Sequence, residues 1–396
     1  MNEDDTSSQR RDEQIQRSEI VEELKDFFNS KFNDLKKTVQ TDSEWTAEAT
    51  RKKCMFKSHR WLEVEEMSDI LPSNQDLFSE VKDAVTSSKE QSTLRNYKYS
   101  FEKFSKWCSQ FGFSYLPASP VTLALYLVSL IQLEDKPCRK SKLNLAFYFV
   151  NNMHELACLE SPCKDKWLKL CLEGCLRKVS RPIEKKEPIS PEILKQLVLK
   201  FASENCSLGN LRIVTLCVLS SAGFLRISEA FNLKRSDIEL FDSYCSLYIE
   251  KSKTDVYRDG QHVVIAKTGN FSCPVSLLER YLHSARIPEH STEHIFRPMQ
   301  AGKHCRDCGL RTPLNKPLSY TRTREIFKDM LTAIGIDASR YGLHSFRSGA
   351  ATVSANLNTT DRLWKRHGRW KNVSAKDGYV KDSIKKRLSV SLNLEL

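Results

Sequence analysis

The stretch Ser221-Ala222-Gly223-Phe224-Leu225-Arg226-Ile227-Ser228-Glu229-Ala230 places one arginine at the start of an otherwise apolar helical run. A guanidinium in such surroundings needs an anion, because burying an unpaired charge is expensive. Glu229 follows three residues later on the same helical face, where it can orient Arg226. Taken alone, the pair reads as an internal ion pair rather than as a functional site. A second stretch, Tyr341-Gly342-Leu343-His344-Ser345-Phe346-Arg347-Ser348-Gly349-Ala350-Ala351, spaces His344 and Arg347 one helical turn apart. The small residues at its end allow close approach of another segment. A third stretch, Arg366-His367-Gly368-Arg369-Trp370-Lys371-Asn372-Val373, leads on to Tyr379, and residues 362–387 hold ten basic against two acidic side chains. A tyrosine in so positive a stretch is unusual for a core position. Together, two arginines, a histidine, a tryptophan and a tyrosine assemble a phosphate clamp with a hydroxyl nucleophile.

These three segments resemble the boxes of the tyrosine recombinase (phage-integrase) family. Gly223-Phe224-Leu225-Arg226-Ile227-Ser228-Glu229, with Ser236-Asp237-Ile238 downstream, is similar to the family's first arginine box, and Leu343 to Ala351 is similar to its His-x-x-Arg box. Trp370 stands nine residues before Tyr379, the family's spacing between its His/Trp position and its nucleophile. Lys253, within Lys251-Ser252-Lys253-Thr254-Asp255, matches the family's hairpin lysine, with Lys251 as a shifted match. The helical segment from Thr93 is similar, less specifically, to the family's core-binding domain. One departure is Arg369, which intervenes between Gly368 and Trp370; the Trp-x-Asn-Val that follows favours Trp370 as the box residue. The Gly-Arg-Trp form resembles recombinases of eukaryotic mobile elements.

The resemblance implies a site-specific recombinase or integrase that cuts and rejoins DNA through a covalent 3′-phosphotyrosine. Its catalytic residues would be Arg226, Lys253, His344, Arg347, Trp370 and Tyr379, supported by Glu229. The physics agrees. Breaking a phosphodiester without a metal requires cations on the non-bridging oxygens, and arginine offers a two-bond fork that stays charged. A tyrosine hydroxyl is a poor nucleophile until cations favour its phenolate. In the roles that the resemblance implies, Lys253 protonates the leaving 5′ oxygen and His344 assists proton transfer at Tyr379. No cofactor is called for, and the phosphotyrosine conserves the bond energy. Two other readings stand beside this one: a type IB topoisomerase-like nicking–closing enzyme, and a domesticated DNA-binding protein without catalysis. Against the last, no catalytic position is missing.

Composition and organisation fit the same picture. The chain has 396 residues, room for two domains, with 40% hydrophobic and 28% charged residues. Its net charge of +12 divides into −6 over residues 1–50 and +18 over the rest. A basic body points to a polyanion such as double-stranded DNA; surplus surface lysine is the plainer account. No apolar run is long enough for a membrane span, and the N-terminus lacks the basic and apolar regions of a secretory signal. Thirteen cysteines at irregular spacing read as free thiols in a reducing compartment, hence an intracellular protein, nuclear if eukaryotic.

The fold expected is mostly α with a small β-hairpin or sheet. Residues 1–75 read as an acidic, polar arm with a short amphipathic helix (Val21, Leu24, Phe28, Phe32, Leu35) that self-associates or docks on its own domain. Residues 76–180 read as a helical core-binding domain, 181–188 as a proline-bounded charged linker, and 189–396 as a mixed α/β catalytic domain. Arg95, Lys98, Lys178, Arg181, Arg366, Arg369 and Lys371 are the expected DNA contacts. His290-x-x-x-His294 with His304, Cys305 and Cys308 has ligand types compatible with zinc, although a plain loop with free thiols explains it better and no metal is expected. Finally, Ile384, Leu388, Val390, Leu392 and Leu394 form an apolar C-terminal segment. The resemblance implies that it docks on a neighbouring protomer, in a tetramer assembled on paired DNA sites; folding back on its own domain is the alternative.

Overall fold

The computed structural model describes residues 59–70, 75–132, 137–182, 184–252, 259–304, 311–313, 315–357 and 359–394. The amphipathic helix expected at 21–35, Lys253, Cys305 and Cys308 lie outside them. The chain divides into two compact units, Met1–Ile183 and Glu184–Leu396.

The first unit is helical: α1 His59–Ile70, α2 Gln75–Thr86, α3 Gln91–Gln110, α4 Pro120–Gln132, α5 Lys140–Leu156 and α6 Lys166–Lys178. Local chemistry marks the helix starts. The Ser119 hydroxyl accepts the Thr122 N–H at 3.0 Å ahead of α4, and the Asp165 carboxylate accepts the Leu168 N–H at 2.8 Å at α6. Apolar faces then meet. Phe101, Phe104 and Cys108 of α3 pack with Leu123 and Leu127 of α4, and with Leu143 and Phe149 of α5. The Phe104 ring stands edge-on to Tyr126 and Phe149. Helix α1 falls within the stretch expected to be an arm. Trp61, 3% exposed, anchors it by donating its indole N–H to the Leu156 carbonyl at 2.7 Å.

In the second unit, α7 Pro191–Phe201 starts at a Ser190 cap with proline in its first turn, as its sequence predicts. Helix α8 Leu208–Ala222 is the unit's centre; every residue from Leu211 to Ser220 is buried, as befits a helix apolar on all sides. Then come α9 Ile227–Asn232 and an antiparallel sheet of β1 Ile238–Leu240, β2 Tyr244–Ile249 and β3 Gln261–Ala266, in that order. Cys245 pairs with Ile265 and Leu247 with Val263, which sets one buried face of the sheet on the core. The unit continues with α10 Pro274–Ser284, a β4 Met299–His304 and β5 Arg311–Pro313 ribbon, α11 Tyr320–Ala333, α12 Ser345–Asn356, α13 Asp361–His367, α14 Val373–Asp377 and α15 Ile384–Leu392. Helices α7, α10, α11 and α12 all pack on α8.

The expected linker is not free along its length. From Glu184 it belongs to the second unit, where the Glu187 N–H donates to the Arg340 carbonyl at 2.8 Å and Lys186 donates to the Ser339 carbonyl at 2.6 Å.

Candidate functional site

Helices α8 and α13 end in the same way. After α8, the Leu225 N–H reaches back to the Ser220 carbonyl and the Phe224 N–H to Ser221, at 2.9 and 3.1 Å. After α13, the Trp370 N–H reaches the Lys365 carbonyl and the Arg369 N–H reaches Arg366, at 3.2 and 3.0 Å. This double bond pattern is the Schellman ending, whose turning residue takes a left-handed backbone. Glycine usually occupies that position. Here Phe224 has φ +48° and Arg369 has φ +55°, a conformation costing side-chain-bearing residues about 1–2 kcal/mol. Gly368 is needed for another reason: a Cβ there would fall 1.9 Å from the Trp370 ring.

The two endings expose carbonyls of negative partial charge, and cations fill the space between them. Arg347, in the first turn of α12, is wholly buried and donates to the carbonyls of Phe224 and Gly368. Arg369 donates to the carbonyls of Gly223 and Phe224, both at 3.2 Å, and of His367 at 3.1 Å. His367 Nε2 meets the Ala222 carbonyl at 2.8 Å. Arg226, at the N-cap of α9, gives its backbone N–H to Glu229 Oε2 at 2.9 Å and a guanidinium N–H to Oε1 at 2.7 Å. Glu229 Oε2 also accepts from Arg369 at 2.7 Å.

Electrostatics follow from burial. Desolvation pushes the Glu229 carboxyl up, but Arg369 and Arg226 outweigh it and hold the group below the usual carboxylate range. Burial, then the neighbouring Arg226 charge, lower the Arg347 guanidinium to about 10, which leaves it a cation at neutral pH. Burial likewise lowers His367.

Tyr379, half-buried, follows α14. Its ring centroid lies 5.1 Å from that of the exposed His344 and 5.5 Å from that of Trp370; the Arg347 guanidinium carbon stands 5.3 Å from the Tyr379 ring and 4.5 Å from Trp370. Trp370 is 6% exposed, and its indole N–H has no acceptor, nor has the Arg347 Nε–H. Arg226, His344, Arg347, Trp370 and Tyr379 therefore meet in one place, together with Glu229.

Several placements differ from expectation. Arg369, expected on DNA, is 7% exposed because its left-handed backbone turns the side chain inward to Glu229. Arg347 lies beneath the Trp370 and Tyr379 rings rather than open to a phosphate. Arg366 and Lys371 are exposed and line a cleft of about 700 Å³ with Arg362, Lys365, Gln261 and His262. Arg95 and Lys98 on α3, and Lys178 and Arg181 at and beyond the end of α6, are exposed. Among the described residues no group of three or more His, Cys, Asp or Glu side chains could hold a metal.

Sequence reasoning missed Lys376. It is 3% exposed, paired with Asp361, and sits 4.2 Å from the Trp364 ring centroid, so it fastens α14 to α13 just before the tyrosine. Its one signal is its place three residues ahead of Tyr379, and a lysine in a basic stretch reads as a surface residue.

Comparison with known proteins adds an independent line. No protein-family model matches the chain. Over 314 residues it is 26% identical to the "Integrase/recombinase xerD homolog" of Selenomonas ruminantium, covering 78% of this chain and 87% of that protein. The chain is thus similar to an integrase/recombinase over most of its length. Similar solved structures include the XerA recombinase (16% identity, 82% of this chain and 99% of the other, TM-score 0.38). A lambda integrase tetramer bound to a Holliday junction is another (16% identity, 78% and 77%, TM-score 0.44). No described helix is long and apolar enough to cross a membrane.

Proposed function

We propose that this chain is a site-specific DNA recombinase or integrase that acts through Tyr379. The observation that carries the reading is the convergence of three distant segments. Tyr379 lies against His344 and Trp370, over the Arg347 guanidinium, with Arg226 and Glu229 in the same network. In the reaction, the Tyr379 hydroxyl oxygen attacks a DNA phosphorus and the bond to the 5′ oxygen breaks. A 3′-phosphotyrosine forms, and the tyrosine proton leaves as the departing oxygen gains one. Attack by a 5′-hydroxyl on the phosphotyrosine reverses these changes and reseals a strand, so no energy source is consumed.

Arg226 and Arg347 supply charge to the phosphate oxygens, and Trp370 offers its unpaired indole N–H. Since Arg347 is buried under the two rings, Tyr379 moves outward as the phosphate enters. Lys253 is the acid that the family resemblance implies. The exposed Arg95, Lys98, Lys178, Arg181, Arg366 and Lys371 are phosphate contacts. Residues 76–180 form the core-binding domain and 189–396 the catalytic domain. The reading extends to a tetramer on paired sites and to a mobile-element recombinase, nuclear where the host is eukaryotic.

The test is incubation with a random duplex library, then denaturing capture of protein–DNA adducts. Wild type is expected to form adducts. Tyr379→Phe removes one oxygen and almost no volume, so fold and DNA affinity persist while the adduct vanishes. An adduct with the phenylalanine variant, or none with wild type, overturns the reading.

A further inference from the structure

Arg369 interrupts the last box of the sequence, and its environment shows what the interruption does. Its side chain is 3% exposed, so it presents almost no surface to a duplex although it borders the basic cleft. It holds both arginines of the phosphate clamp indirectly. Through Glu229 it reaches Arg226: one carboxylate oxygen takes Arg369 Nη2 and the Arg226 backbone N–H, the other takes the Arg226 guanidinium. Through the Phe224 carbonyl it reaches Arg347, because that oxygen accepts from both guanidiniums. Phe224 is itself a left-handed residue at a helix ending, so a second donor on its carbonyl fixes where that carbonyl points. Arg369 occupies the corresponding turn of the facing helix. A single buried guanidinium thus joins both helix endings and both clamp residues.

Charge makes the arrangement consequential. Glu229 is one carboxylate shared by two cations, and sharing limits how strongly it draws on either. With Arg369 removed, Arg226 becomes its sole cation partner and closes onto it, away from the phosphate. We propose that Arg369 is a positioning residue, one that sets the geometry of Arg226 and Arg347 for the scissile phosphate without touching DNA. The inference rests on the recombinase reading above.

The experiment measures single-turnover adduct formation on a nicked duplex recovered from the covalent capture, at saturating protein, alongside DNA affinity. Arg369→Met is expected to slow cleavage by about 10²-fold while affinity stays within about threefold. The double variant Glu229→Gln/Arg369→Met is expected to cleave faster than Arg369→Met, since a neutral amide no longer captures Arg226. A merely structural strut gives the opposite order, the double variant being slower. Arg369→Met cleaving like wild type overturns the inference, as does affinity falling in step with rate, which would put Arg369 on the DNA itself. Should the methionine variant lack a cooperative unfolding transition, Arg369→Lys replaces it. Lysine keeps the cation beside Glu229 but not the fork to the carbonyls, so cleavage slows by about tenfold; a wild-type rate there overturns the inference. Failure of the recombinase reading looks different: wild type itself forms no adduct.

Discussion

Gly349 has no room for a side chain. A Cβ there would lie 2.1 Å from the Ile189 carbonyl oxygen and 2.9 Å from its nitrogen, and backbone atoms cannot rotate aside. Gly349→Ala should therefore push α12 off the segment ahead of α7 and destabilise the protein by about 1–3 kcal/mol, read as a lowered denaturant midpoint. That close approach was legible in the sequence, because a Ser-Gly-Ala-Ala run has little other use beside a charged box. Arg369 was not legible. One basic residue among ten reads as a phosphate contact, and what reverses it is a backbone angle. The Schellman ending is normally announced by glycine, and here phenylalanine and arginine hold the turning positions. Arg226 and Glu229 were read as an ion pair or a functional site; the structure has the ion pair, at 2.7 Å, within the site. The position of Arg347 under two aromatic rings depends on chain segments far apart in sequence, which no local pattern encodes.

Among the elements, the long helices followed from apolar periodicity, as α4, α5 and α6 do. The three-residue β1 carries too little pattern to be seen, and α1 hides in a polar stretch whose key feature is one tryptophan. Helix α5 also carries a testable dependence on pH. His154 is wholly buried; its Nε2 accepts the Ala118 N–H at 2.9 Å and its Nδ1 lies 2.8 Å from the Val150 carbonyl, to which it donates. Burial lowers its pKa below the usual 6.5, and the bond to Val150 only partly opposes this. The unfolded chain therefore binds a proton more readily than the folded one. Stability is fully present above the ordinary histidine value and falls as pH drops from there toward the lowered folded value. The expected slope is at most about 1.4 kcal/mol per pH unit, measured by urea unfolding of the chain between neutral and mildly acid pH. His154→Gln keeps an acceptor for Ala118 without titrating, so its acid-side decline should be shallower. An unchanged decline would show that other groups set it.

At the scale of the whole molecule, the charge asymmetry has a direct consequence for binding. If Arg95, Lys98, Lys178, Arg181, Arg366 and Lys371 each neutralise one phosphate, affinity for duplex DNA should fall by about 10³ between 50 and 200 mM salt. A filter-binding series that is nearly flat with salt would remove these residues from the interface. The C-terminal segment bears on assembly. Its first turn is tied to α12, the Ser383 N–H to Asn356 and the Lys386 ammonium to the Ala355 carbonyl. The apolar side chains it brings nonetheless stay in water: Ile384 is 74% exposed, Val390 69% and Leu392 73%. Folding back on its own domain, one of the two fates that the sequence left open, does not cover them. Apolar surface gathered on one short helix is the usual mark of a protein interface, and under the proposed function its partner is a second copy on DNA. Deleting residues 383–396 removes that surface without touching Tyr379 or the network around Arg369. Binding to a single DNA site should persist, while cooperative assembly on paired sites, followed by gel shift or sedimentation, should be lost. Assembly that survives the deletion would mean that copies meet through another face, and the exposed leucines and valine would then need a different partner.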